Sequence, residues 1–263
     1  ENFLDYLTTL EGYRGQLAHT ELVPGRPGEF CDFDEVPLPD EIVQALKAKG
    51  IQRLFLHQGT ALRAVLEWKQ HVALTTPTSS GKSLGYMAPL LAAAAAAKGK
   101  GGGGGATAFL VYPTKALARD QLASLEKYGE LAFGHGQEIF KIACYDGDTP
   151  MGQRKRLRDS CQVLLVNPDI LHASVLGGHK EWQIYLKHLA YVVVDEAHSY
   201  RGAFGAHVAQ VFRRLRRVCS LYNSAPQFIC CSATIANPAE HVENLVGVPR
   251  GEVAVIDEDG APR

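Results

Sequence analysis

The chain has 263 residues, 46% hydrophobic and 21% charged, which suits one large folded domain and excludes a disordered chain. Its formal net charge of -1 excludes a global pull toward nucleic acid, so any such surface must be a local patch. No apolar run of about 18 residues occurs, so no membrane-spanning helix is expected.

The opening Glu1-Asn2-Phe3-Leu4-Asp5 lacks a basic segment ahead of an apolar one, so no secretory leader is expected, and an intracellular location, at the nucleus or nucleoid, is. The missing initiator Met reads as a fragment or an incomplete gene model. Residues 1–39 read as an irregular extension, broken by Pro24, Pro27, Pro37 and Pro39. A helix is predicted from Asp40, as N-cap, to Gly50, with Ile42, Ala45 and Leu46 inward. A second is predicted over His57–Lys69, with Ala61, Leu62, Val65 and Leu66 inward. Strands are then predicted at His71–Thr75, Thr107–Tyr112, Ile139–Cys144, Gln162–Val166, Tyr191–Asp195 and Gln227–Cys231. Helices are predicted between them, at Lys82–Ala96, Lys115–Lys127, Gly152–Asp159, Asp169–Leu176 and Ala203–Leu221. Short apolar strands alternating with helices predict an α/β fold, a mostly parallel sheet with helices on both faces. Residues 92–106, six alanines and then a glycine-rich run, read as a low-complexity insertion within a domain spanning 40–247. The cysteines at 31, 144, 161, 219, 230 and 231 form no Cys-x-x-Cys pair and are expected as free thiols.

Three motifs fall at strand ends, where ligands of such sheets bind. Thr76-Pro77-Thr78-Ser79-Ser80-Gly81-Lys82-Ser83 ends like a P-loop, with Thr76 where the first glycine usually stands. A tight loop there aims backbone N–H groups and a helix N-terminus at phosphates. Lys82 is expected to reach the phosphates of ATP and Ser83 to ligate Mg²⁺. Asp195-Glu196-Ala197-His198 follows four apolar strand residues. Asp195 is expected to hold Mg²⁺ and Glu196 to orient and deprotonate water. Simple capping does not explain two adjacent carboxylates there. Ser232-Ala233-Thr234, weak alone, can couple that loop to what lies beyond.

In this order the motifs resemble superfamily 2 helicases of the DEAH type, whose first lobe is a RecA-like P-loop NTPase. Gln58 resembles the Q motif, whose amide pairs with adenine. Pro113, Thr114 and Lys115 resemble motif Ia, and Asn167 and Pro168 motif Ib, which in that family line the nucleic-acid groove. Tyr145–Pro150, Asp195–Gly202, Arg213–Cys219 and Ser232–Pro238 resemble the Hrq/MrfA-type branch of RecQ-related DNA-repair helicases. The resemblance implies an ATP-dependent 3′-to-5′ DNA helicase acting on single-stranded or forked DNA, with RNA possible. His198 is implied among the catalytic residues. The arginines of 213–217 are expected mostly on a solvated face, and Arg154, Lys155, Arg156 and Arg158 to lie nearer the nucleic acid. Motifs of a second RecA-like lobe are absent, so residues 248–263 read as an exit toward a lobe expected downstream. The alternatives are a non-hydrolysing nucleotide- or nucleic-acid-binding module, or a fragment of an RNA helicase or duplex translocase.

Overall fold

The computed structural model describes residues 3–21, 24–77, 80–97, 105–135 and 139–262. Thr78 and Ser79 of the P-loop and residues 98–104 of the insertion lie outside them. The elements in chain order are α1 (Phe3–Thr9), β1 (Phe30–Cys31), α2 (Asp40–Ala48), β2 (Leu54–Phe55), α3 (Leu56–Leu66), β3 (His71–Leu74), α4 (Leu84–Ala97) and β4 (Thr107–Val111). There follow α5 (Lys115–Phe133), β5 (Ile142–Cys144), α6 (Met151–Ser160), β6 (Val163–Val166), α7 (Pro168–Ile170), α8 (Gln183–Lys187), β7 (Leu189–Val194), α9 (Gly202–Leu221), β8 (Gln227–Cys231), α10 (Pro238–Val246) and β9 (Val253–Ile256).

Seven strands form one sheet in the order β5-β6-β4-β7-β8-β3-β9, and every pairing in it is parallel. Because side chains alternate along a strand, the sheet feeds two cores. Phe109, Leu164, Val192, Val194, Phe228 and Cys230 point to the side covered by α8, α9 and α10. Ala108, Leu110, Leu165, Val193, Ile229 and Cys231 point to the side covered by α3, α4 and α5. Trp182 anchors the first core, 5.1 Å from the Tyr145 ring and 5.7 Å from Tyr185, both edge-on. Burying a side chain of this class stabilises by roughly 1.5–3 kcal/mol.

Differences from the sequence reading have local causes. The α2 N-cap is Pro39 rather than Asp40, which becomes the first helical residue. Helix α5 runs on to Phe133, and Gly129 inside it lets the Phe140 ring approach: a Cβ there would sit 2.7 Å from that ring. After α7 the chain continues as a π-helix over Leu171–Leu176. The extension before residue 40 supplies β1, which pairs with β2 and buries Cys31. The segment read as an exit supplies β9, paired with β3 from His71↔Val253 to Leu74↔Ile256. Helix α10 was not foreseen: Pro238 opens it and Gly247, with φ 75°, caps it. All six cysteines are free, and burial pushes the Cys219 and Cys230 thiols up to about 12. Among the described residues no helix is long and apolar enough to cross a membrane.

Candidate functional site

The strand order sorts the motifs into two groups along the C-terminal edge. Neighbouring β7, β8 and β3 end in Asp195–His198, Ser232–Thr234 and Thr76–Ser83. Neighbouring β5, β6 and β4 end in Tyr145–Thr149, Asn167–Pro168 and Pro113–Lys115. The backbone joins the loops in register: Ser232 N–H donates to Leu74 O at 3.0 Å and Asp195 N–H to Val111 O at 3.0 Å.

The P-loop is held by its own side chains. Thr76 Oγ1 lies 2.7 Å from Ser80 Oγ, a hydroxyl staple across the turn and a use for the threonine that replaces glycine. Lys82 Nζ donates to the carbonyls of Thr76 and Pro77 at 2.6 and 2.8 Å. Gly81 has φ +79°, a conformation side chains resist. Gln58 supports it: Oε1 accepts from Phe55 N–H at 3.0 Å, and Nε2 donates to Gly81 O at 3.0 Å. Among the described residues, these two bonds leave one amide hydrogen and one lone pair of Gln58 unused. A Cβ on Gly81 would lie 2.6 Å from Gln58 Nε2. Gly81→Ala is therefore expected to destabilise the fold by about 1–3 kcal/mol. Urea unfolding of the variant checks this, and an unchanged midpoint would show that the loop tolerates a side chain.

Next to it stands the acidic loop. Burial pushes the Asp195 carboxyl up, while the Glu196 N–H, at 2.9 Å from Oδ1, opposes the shift. The Tyr86 hydroxyl lies 3.3 Å from Oδ2, close enough to donate, and Lys82 acts on the same carboxylate through its charge. Glu196 sits at φ 50°, ψ 41°, a left-handed conformation that strains a non-glycine residue. His198 joins two motifs: its Nδ1 accepts the Ala233 N–H at 3.3 Å, and its Nε2 lies 3.4 Å from Glu196 Oε2. The link expected of Ser232 and Thr234 is thus made by the Ala233 backbone. Ser232 Oγ is buried without a hydrogen-bond partner among the described residues, and Thr234 is exposed.

A sequence profile of the DEAD/DEAH box helicases matches residues 55–242. The chain belongs to this family. It is 41% identical over 230 residues to the uncharacterized ATP-dependent helicase YprA of Bacillus subtilis, covering 86% of this chain and 29% of that protein. It is 37% identical over 268 residues to the ATP-dependent helicase HRQ1 of Saccharomyces cerevisiae, covering 98% of this chain and 23% of that protein. The structure of the DUF1998 helicase MrfA bound to DNA and AMPPNP matches with a TM-score of 0.80 at 38% identity, over 91% of this chain and 32% of that one. These relatives bear out the likeness to the Hrq/MrfA branch and the RecA-like lobe. This chain spans less than a third of YprA, between 23% and 32% across the three.

On the β5-β6-β4 side of this DEAD/DEAH-family lobe, the expected groove residues divide. Thr114 caps α5, its hydroxyl accepting from Leu117 N–H at 3.4 Å, and both Thr114 and Lys115 are exposed. Asn167 Oδ1 accepts from Ile170 N–H at 2.9 Å, leaving its amide donors for other partners. Pro168 is buried as the first residue of α7, a structural place rather than a contact surface, and Pro113 is half-buried. The arginines expected near the nucleic acid are partly engaged inside the protein. Arg154 donates to Thr149 O and Asp146 O, and Arg158 pairs with Glu181 at 2.7 Å. On α9, Arg213 donates to Asn244 O and Arg216 to Gly247 O, so they tie down the end of α10 rather than only facing solvent.

Three supports escaped the sequence reading. Tyr86 sits one turn past Ser83, a spacing that could have flagged it. His241 donates from Nε2 to Ala197 O at 2.8 Å, a long-range link without a local signal. His57, beside Gln58, donates from Nε2 to Ser80 O at 3.0 Å, while its Nδ1 accepts from Gly260 N–H at 3.2 Å.

Burial lowers the His57 pKa, against the pull of Asp259, whose Oδ1 is 3.8 Å away. Burial also lowers that of His71, whose Nδ1 accepts from Phe228 N–H at 2.9 Å. The lowered pKa values favour the neutral rings in the fold, so the unfolded chain binds more protons near its ordinary histidine pKa of about 6.5. Their stabilisation is present above that value and is lost as pH falls below it. Asp195, with its raised carboxyl, acts in the opposite sense. The expected result is a lower urea midpoint at acid pH, with a weaker pH dependence in His57→Gln. Equal pH dependence in the two proteins would overturn the assignment.

Proposed function

We propose that this chain is the ATP-binding lobe of an ATP-dependent 3′-to-5′ DNA helicase that acts in DNA repair, in the nucleus or nucleoid. The observation that carries this reading is the placement of the P-loop and the Asp195–His198 loop at the ends of β3 and β7, on either side of β8, whose end is tied to both through Ser232 and His198. The MrfA structure bound to DNA and AMPPNP, a relative covering 91% of this chain, supports it.

In this reading Ser80 and Gly81 offer backbone N–H groups to the phosphates, and Lys82 exchanges its two carbonyl acceptors for phosphate oxygens. Gln58 fixes Gly81 and offers its remaining amide atoms to adenine. The donor set fits Mg²⁺: Asp195 is a carboxylate that burial strains, and Ser83 offers a hydroxyl at the start of α4. Ser83 and Asp195 would hold the ion, which neutralises charge on the phosphates when bound. Glu196 orients the attacking water and accepts its proton, and His198 carries the state of Glu196 to Ala233. Thr114, Lys115 and Asn167 take the DNA backbone.

Phosphate contacts release counterions, so single-stranded DNA should bind with an affinity that falls steeply with salt. Fluorescence anisotropy across a salt series tests this, beside RNA of the same sequence. A flat salt response would remove the groove from the proposal, and tighter binding of RNA would replace DNA as the substrate.

A further inference from the structure

Lys115 occupies an unusual place for a cation. It is the first residue of α5, a helix of 19 residues, where the helix dipole presents its positive end. Such a position favours an anion, and the structure supplies one from the neighbouring loop: Lys115 Nζ donates to Asp148 Oδ2 at 2.6 Å. The side chains are 43% and 64% exposed, so solvent and any incoming anion can reach the pair.

Asp148 does not meet Lys115 by a chance swing of a loop. Its own N–H donates to Asp146 Oδ1 at 2.8 Å, and Asp146 N–H donates to Thr149 Oγ1 at 2.9 Å. Arg154 clasps the same turn from α6, donating from Nε to Thr149 O at 3.0 Å, with its guanidinium 5.6 Å from the Tyr145 ring centroid. Tyr145 in turn is buried against Trp182. The turn is therefore built onto the core, and it presents one carboxylate to the start of α5. The hydrogen bond from Lys115 holds the Asp148 carboxyl below the usual range, and Arg119, on the next turn of α5, adds to the same field.

We infer that Asp148 is a built-in competitor of the nucleic-acid backbone: its carboxylate occupies Lys115 at the anion site of α5, and a phosphate of the strand must displace it. The inference rests on the groove reading above, and it makes Asp148 a specificity-determining residue of that groove. A carboxylate and a phosphate group ask for the same partner and the same helix end. Once displaced, Asp148 stays beside the strand as a like charge. A lone anion gains little from the exchange. A strand that also reaches Thr114 and Asn167 compensates the loss with further contacts, so the competitor favours a polyanion in the correct register over isolated anions.

The test uses the chain as it stands and a short single-stranded DNA oligonucleotide at low, fixed salt. An exposed ion pair is a weak competitor, so D148N should tighten DNA binding by about two- to fivefold. D148A should do the same, and the thermal midpoint of each variant checks that the turn survives. K115Q should weaken binding, and in the K115Q background D148N should give no gain. A gain of equal size in that background would overturn the inference, because Asp148 would then act by general repulsion. Weakening by K115Q without tightening by D148N or D148A would also overturn it and leave the groove intact. If K115Q leaves binding unchanged, the groove reading falls and the competitor falls with it.

Discussion

Steady-state ATP turnover by residues 1–263 is expected to be slow, with or without single-stranded DNA, and to rise by about 10³–10⁵ when a second RecA-like lobe is joined to it. As charge shifts across the γ-phosphoryl group, it must be met from both sides. On the proposed reading, this lobe offers on one side Lys82, the pair Ser83 and Asp195, and Glu196 for the water. Among the described residues no arginine is bonded to the P-loop or to the Asp195–His198 loop. Arginines elsewhere serve the fold: Arg213 and Arg216 bond the end of α10, and Arg154 clasps the turn after β5. An arginine from a facing lobe would supply the missing charge, and that factor in rate corresponds to roughly 4–7 kcal/mol of transition-state stabilisation. A coupled phosphate-release assay on the two proteins measures it. Full DNA-stimulated turnover by the short chain, abolished by Glu196→Gln, would show that the lobe completes its site by another route, such as self-association.

Lys82→Ala is expected to weaken ATP binding by at least about tenfold, the loss of a charge-assisted contact worth roughly 1.5–3 kcal/mol. The structure adds a second consequence. Lys82 satisfies the carbonyls of Thr76 and Pro77, so its removal also frees the loop that should receive the phosphates. Calorimetry with ATP separates the two effects when combined with a thermal melt: a loosened loop lowers the midpoint without nucleotide, whereas loss of the phosphate contact lowers only the affinity. Equal ATP affinity in the parent and the variant would remove Lys82 from the site. Glu196→Gln is the complementary change. It should preserve ATP binding, because the amide keeps the shape of the side chain, while hydrolysis falls by roughly 10²–10⁴ with the loss of a general base.

What could be read in advance was local. The strands from His71 to Cys231 announce themselves as short apolar runs, and the P-loop and acidic motifs follow them directly in the chain. The fold class and the motif residues themselves are legible for that reason. Strand order is not local, and it is the order that places β7, β8 and β3 side by side and so brings Lys82 to Asp195. Strand β9 escaped because its four apolar residues lie between Glu252 and Asp257 in the segment read as an exit; their pairing with β3 makes them a strand. The supports of the site are distant too. His241 reaches Ala197 from α10 across 44 positions, and His57 meets Gly260 across 203. Thr114 shows the opposite case: a hydroxyl residue before a helix is a cap by type, and it is one here.

Strand β9 also bears on how the chain behaves when shortened. It is the sheet's outermost strand, and it covers β3, the apolar His71–Leu74 segment that launches the P-loop. Thr75 N–H donates to Ile256 O at 2.8 Å, so the cover reaches the residue just before that loop. Trimming the chain before Val253 would leave the β3 edge bare, with unpaired backbone groups along an apolar run, a template for pairing with another molecule. Such a trimmed protein should aggregate as it folds, and a search for a minimal nucleotide-binding fragment should keep the chain through Gly260, where His57 is also held.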